Sequence, residues 1–232
     1  MKHIILPGLT TTPKSDWREK IREIDRCSIE EIALFPTFLE LPGRKELYSL
    51  LENTKLKRIP HVHLRSDMEA WELELFNNKY KTEVFNIHPE PTELGFLENL
   101  KKTDNVYVEN TNKITDFYFE VADMCGGVCL DISHWEDYGI PEGYDDFSQK
   151  IEKYKIGCSH ISAIKKDFKT WEHYTTKEKL NLYSDHYMDD LSELDYVKKY
   201  VQYLPEYVSI ELENSFEEQL KVKEYLEKII NG

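Results

Sequence analysis

A chain of 232 residues, 40% hydrophobic and 32% charged, has the material for a sizeable core and is neither disordered nor a mini-protein held by cross-links. The formal net charge is −14, and no arginine follows Arg65, which argues against an extended grip on nucleic-acid phosphates. No apolar run approaches the ~20 residues of a membrane span, and Cys27, Cys125, Cys129 and Cys158 form no CxxC pair, as expected of reduced thiols in a cytoplasmic protein.

The N-terminal stretch is too short for a signal peptide and reads as a first strand, His3–Leu6. Further apolar runs follow at Glu31–Phe35, Ile59–Leu64, Val84–Ile87, Val106–Val108, Val128–Ile132, Ile156–Ile161 and Tyr207–Leu212. Each has the length and the Val, Ile, Phe and Tyr content of a strand buried on both faces. Between them, helical spacing recurs over Asp16–Ile24, Arg44–Leu51, Asp67–Phe76, Thr92–Leu100, Ile114–Met124, Tyr144–Tyr154, Leu191–Tyr203 and Phe216–Ile230. Strict alternation requires crossover connections and a parallel sheet, and eight such units close into a (β/α)8 TIM barrel. No glycine-rich fingerprint follows the first strand, and no low-complexity linker divides the chain, so one domain over 1–232 is expected. The connection Ser162–Asp190 is long enough to suggest a functional loop.

In such a barrel the chemistry sits at the carboxyl ends of the strands. Here the third strand ends in His61-Val-His63-Leu-Arg65, and the fourth in Asn86-Ile-His88. The fifth ends in Glu109-Asn110 and the sixth in Asp131-Ile-Ser-His134. The seventh ends in His160, and the eighth carries Glu211-Leu-Glu213. Taken singly, each has an ordinary structural role: a hydrogen-bonded histidine, a salt-bridged glutamate, an aspartate capping the next turn. Together they are the side chains that bind divalent metals, and carboxylates gathered on one axis are costly to bury without a cation. His61 and His63 share strand parity, so either is a candidate ligand. Of Glu211 and Glu213, Glu211 lies closer to the apolar run and is preferred, with Glu213 left as a further ligand, a support to the ligands or a substrate contact.

The ordered string Phe85-Asn-Ile-His88-Pro89, Val108-Glu109-Asn110-Thr111, Val128-Cys-Leu-Asp131-Ile-Ser-His134, His160 and Glu211 resembles the xylose isomerase-like superfamily of barrels. That group joins sugar and sugar-phosphate isomerases and epimerases to zinc-dependent apurinic endonucleases. The resemblance implies a four-ligand site for a divalent metal (Zn, Mn, Mg or Co) at Glu109, Asp131, His160 and Glu211. It implies further zinc ligands, in the endonuclease branch, at His88, His134 and one of His61 and His63. That branch has an Asp-x-His element after the seventh strand. Here the region reads Ser184-Asp185-His186, with serine where the aspartate is expected, although Asp185 could compensate.

The resemblance implies first an isomerase or epimerase acting on a small sugar or sugar phosphate. Glu109 and Glu211 would move a proton between carbons through an enediolate. Arg65, Lys165 and Lys166 are placed to meet a substrate phosphate, and Trp135 to wall the sugar. A solvated loop is the competing reading of the lysine pair. The alternatives are a multi-zinc phosphodiesterase of the apurinic endonuclease type and a non-catalytic metal- or ligand-binding barrel.

Overall fold

In the computed structural model the residues described are 2–100, 103–111, 114–137, 146–172, 177 and 179–231. Each apolar run forms a parallel strand, and each amphipathic stretch packs its apolar face on the outside of the sheet. The strands are β1 (Ile4–Leu6), β2 (Gly8–Thr10), β3 (Glu31–Phe35), β4 (Arg58–His63), β5 (Val84–Ile87), β6 (Val106–Glu109), β7 (Val128–Asp131) and β8 (Ile156–Ile161). Helices α1 (Trp17–Arg26), α2 (Leu41–Glu52), α3 (Ala70–Leu75), α4 (Pro91–Asn99), α5 (Asp116–Met124), α6 (Ile132–Asp137) and α7 (Phe147–Ile151) lie between them. The expected helix start at Tyr144 lies outside the described residues. In α1 the apolar positions Trp17, Ile21 and Ile24 are buried while Arg18 and Arg22 face water, the stripe a barrel-covering helix needs.

β8 runs into an antiparallel hairpin, β9 (Ala163–Glu172) with β10 (Lys179–Asp185). The expected long loop is therefore largely a folded arm, and β10 shows the alternation of exposure that marks a strand. The stretch Leu191–Tyr203 forms two 3-10 segments, Leu191–Lys199 and Val201–Tyr203, rather than an α-helix. Its buried Leu194 and Val197 are three apart, which matches three residues per turn. β11 (Tyr207–Ile210) and α8 (Phe216–Asn231) complete the chain, and Ser215 opens α8 through a reciprocal pair of bonds with Glu218.

The strand order is β1-β11-β8-β7-β6-β5-β4-β3-β2, with every neighbour parallel. β1 and β2 are two halves of one first strand, separated by Pro7. The first half pairs with β11 and the second with β3, and this closes the (β/α)8 barrel. At the seam a Cβ on Gly8 would stand 1.9 Å from the Ile210 carbonyl oxygen, so only glycine fits. Gln219 of α8 replaces the missing ladder bonds there. Its Oε1 accepts from Gly8 N–H at 2.7 Å, and its Nε2 donates to the Gly8 and Leu212 carbonyls at 3.0 Å each.

The core has an outer shell between sheet and helices and a smaller interior one. Val128 and Leu130 of β7 join the outer shell, while Cys129 packs inside the barrel with Val84, Tyr107 and Cys158. Two bulges set what faces inward. One extra residue in β4, between the pairings Glu31 with Arg58 and Ala33 with His61, turns His61 to the interior. Gly157, extra between Val128 with Ile156 and Cys129 with Cys158, does the same for Cys158 and hence His160.

Candidate metal centre

The interior-facing ends of β4 to β8 and β11 bring His63, Glu109, Asp131, His160 and Glu211 into one buried cluster, with His88 and His134 half-buried at its rim. His160 Nδ1 lies 3.3 Å from Glu211 Oε2, 3.4 Å from Glu109 Oε2 and 3.8 Å from Asp131 Oδ2. Glu109 is also 3.2 Å from His63 Nε2 and 3.7 Å from His88 Nε2, with His134 Nδ1 at 3.8 Å. The Glu109 carboxylate thus stands between a histidine pair on one side and an Asp-His-Glu group on the other.

Local structure fixes each donor. Asp131 spends Oδ1 on the first turn of α6, accepting from Ser133 Oγ at 2.6 Å and from His134 N–H at 2.8 Å. Its Oδ2 faces the cluster, so capping and site roles coexist in one carboxylate. His63 donates Nδ1–H to the Leu64 carbonyl at 2.8 Å, which leaves the Nε2 lone pair aimed at Glu109. Asn86 donates to Glu109 Oε2 at 2.6 Å.

The donor set fits a divalent cation on two observations. Both ring nitrogens of His160 are buried without a hydrogen-bond partner, as is His186 Nδ1. And His63 Nε2 lies 3.2 Å from Glu109 Oε2 and 3.3 Å from His88 Nε2, three electron-pair donors converging where a cation would satisfy them. His63, His88 and Glu109, Glu109, Asp131 and His134, and Asp131, His160 and Glu211 each place donor atoms within 4.8 Å of one another.

Without a cation, protons hold the ring together. Burial works against the charge on Glu109, but His160 and His88 keep its carboxyl well below the ordinary range. Burial likewise opposes the Glu211 charge, yet His186 and His160 hold that carboxyl at about 2. In return Glu109 overrides burial and lifts the His88 imidazole to about 9.

Several sequence candidates lie elsewhere. His61 sits one layer deeper, bonded at Nδ1 to Ser209 Oγ (2.7 Å) and at Nε2 to Asn86 Oδ1 (2.9 Å), so of the histidine pair His63 reaches the cluster. Glu213 accepts the Thr12 hydroxyl and leaves the cluster to Glu211. Of the Ser184-Asp185-His186 element, only His186 approaches, 3.8 Å from Glu211 Oε1. Asp185 is held by Lys169 and the Tyr187 N–H, and Ser184 by Asp137. Arg65 is committed to Asp67 and the Thr37 carbonyl. Lys165 is paired with Asp189 and Glu193, lining with Lys166 a cleft between the hairpin and the 3-10 segment. Trp135 packs on Phe147, Tyr200 and Tyr203 in the helical layer, because its helix turns it away from the face of its neighbour His134. The residue that sequence reasoning missed is Asn86. Its signal was present, since it shares strand parity with His88.

No protein-family model matches the chain, and no curated protein matches it. Among solved structures, a xylose isomerase domain protein from Planctomyces limnophilus matches with a TM-score of 0.53 and 11% identity, over 100% of this chain and 99% of that one. The likeness shows a shared (β/α)8 barrel fold. Among the described residues no helix is long and apolar enough to cross a membrane.

Proposed function

We propose that this xylose isomerase-like barrel is a phosphoesterase with a multinuclear divalent-metal centre, acting on a small phosphate ester. The observation that carries the reading is the position of Glu109 between two donor groups. One cation is fully served by Glu109, Asp131, His160 and Glu211. His63 and His88 would then have no purpose, yet they converge on the same carboxylate. They fit a second cation that shares Glu109, and His134 with Glu109 and Asp131 offers a further donor group.

Bound cations of this kind supply an activated water and neutralise charge on phosphoryl oxygens. The chain's own residues do the rest. Asn86 holds the Glu109 carboxylate in place, Leu64 fixes the His63 tautomer, and Asn110 accepts Nδ1–H of His134 at 3.0 Å. The imidazoles of His88 and His134 are more than a fifth exposed, so they line the path a substrate takes inward. Arg65 and Lys165 are committed to ion pairs, and the chain is strongly acidic, so a compact ester suits the mouth better than a long polyanion.

Isomerisation of a sugar or sugar phosphate is the second reading, supported by the four-donor set around His160 and by the name of the structural neighbour. It would use Glu109 and Glu211 as acid and base. The two separate in one assay series. Metal-loaded protein is presented with bis-p-nitrophenyl phosphate and small phosphate esters, and in parallel with ketoses, aldoses and their phosphates. Metal-dependent ester hydrolysis is expected. Sugar interconversion with no ester hydrolysis overturns the phosphoesterase reading.

A further inference from the structure

Beneath the carboxylate–imidazole ring the barrel interior does not become aliphatic. Cys129, Cys158 and His61 are each wholly buried, and their donor atoms lie within 4.8 Å of one another. The bulges at Gly157 and in β4 are what turn Cys158 and His61 to the inward face, and Cys129 and Cys158 are register partners on adjacent strands. The hydrogen bonds also dictate the state of His61. Asn86 uses its N–H on Glu109, so its Oδ1 must accept from His61 Nε2–H. With that proton on Nε2, the metal-binding form of His61 carries its lone pair on Nδ1, which faces the Ser209 hydroxyl at 2.7 Å, a group that can rotate away.

We propose that Cys129, Cys158 and His61 form a second cation site, below the Glu109 centre, that takes a soft thiophilic cation of the Zn(II) or Cu(I) class. Two sulfurs and an imidazole select such cations over the harder Mg(II) and Mn(II) that carboxylates accept. Binding takes both sulfurs as thiolates, and any thiol proton still present leaves to solvent. Cys129 also lies within donor range of Glu109 and His160, so the deep site adjoins the upper one. Nothing in this assignment depends on which reaction the upper centre catalyses.

The test is cadmium NMR on metal-free protein titrated with cadmium. Sulfur ligation shifts the cadmium resonance far downfield of nitrogen and oxygen ligation. The wild type should give one such downfield resonance besides those of the upper centre. It should vanish in Cys129→Ser and in Cys158→Ser, and persist in Cys27→Ser and Cys125→Ser. No downfield resonance in the wild type overturns the proposal, whatever the variants do. So does a downfield resonance that survives Cys158→Ser, because the sulfur then belongs to Cys129 joined to Glu109 and His160.

Discussion

Asn86 donates to Glu109 Oε2 at 2.6 Å while its own oxygen receives the Nε2–H of His61, which couples the candidate centre to the layer beneath it. A partner that orients a ligating carboxylate is worth about 10–100-fold in metal affinity. Asn86→Ala is therefore expected to weaken metal binding by about that factor, measured by calorimetric titration of metal-free protein. Its far-ultraviolet circular dichroism should match the wild type. Unchanged affinity would remove Asn86 from the site.

Glu109→Gln keeps the shape of the side chain and removes the charge that two donor groups share. Turnover should fall by about 10²–10⁴-fold, the range for a positioned catalytic group, while the fold persists. Steady-state kinetics beside circular dichroism checks this, and full activity would exclude Glu109.

Lys20 is buried between α1 and α8, where Nζ donates to the Leu212 carbonyl at 2.6 Å. Burial pulls its pKa down to about 7, only partly opposed by Glu23, Glu213 and Glu218. The unfolded chain holds this proton up to the ordinary lysine range near 10.5, whereas the folded chain releases it from about 7. Between those values the unfolded state binds more protons, so stability should rise with pH. Lys20→Met should flatten this rise, because the group whose proton affinity differs between the folded and unfolded chains is gone. Urea unfolding at a series of pH values reads the effect.

Arg44 and Glu72 are fully buried together, with Arg44 Nε 2.7 Å from Glu72 Oε2, and Tyr48 donates to the same carboxylate. Arg44→Met leaves a buried charge without its partner and should cost about 3–5 kcal/mol. The double variant Arg44→Met with Glu72→Leu should recover most of that loss, because the desolvation cost leaves with the pair. Chemical denaturation of both variants checks this.

The barrel was legible because strand and helix patterns alternate eight times, because six consecutive strands close on a donor after an apolar run, and because Val, Leu and Ile of β7 and β8 read as strands buried on both faces. Depth was not legible. His61 and His63 share a parity, and only the hydrogen bonds of His61 to Ser209 and Asn86 show that it lies one layer lower. Arg65 and Lys165 looked available for phosphate because the acids that occupy them, Asp67, Asp189 and Glu193, sit on loops or on a neighbouring segment whose placement no local pattern reveals. Trp135 follows His134 directly, but a helix points neighbouring side chains in different directions. The hairpin was hidden because its alternation lies in a polar segment, where period two is harder to see than in an apolar run.

On the proposed reading, donors on both sides of Glu109 hold more than one cation. Elemental analysis of Cys158→Ser protein purified without chelator, which lacks the deep sulfur site, and of the same protein carrying His63→Ala, reads this without interference. Two or three divalent metal ions per chain are expected, with one fewer once His63 is replaced by alanine. A single ion per chain that survives the loss of His63, or none at all, would contradict it.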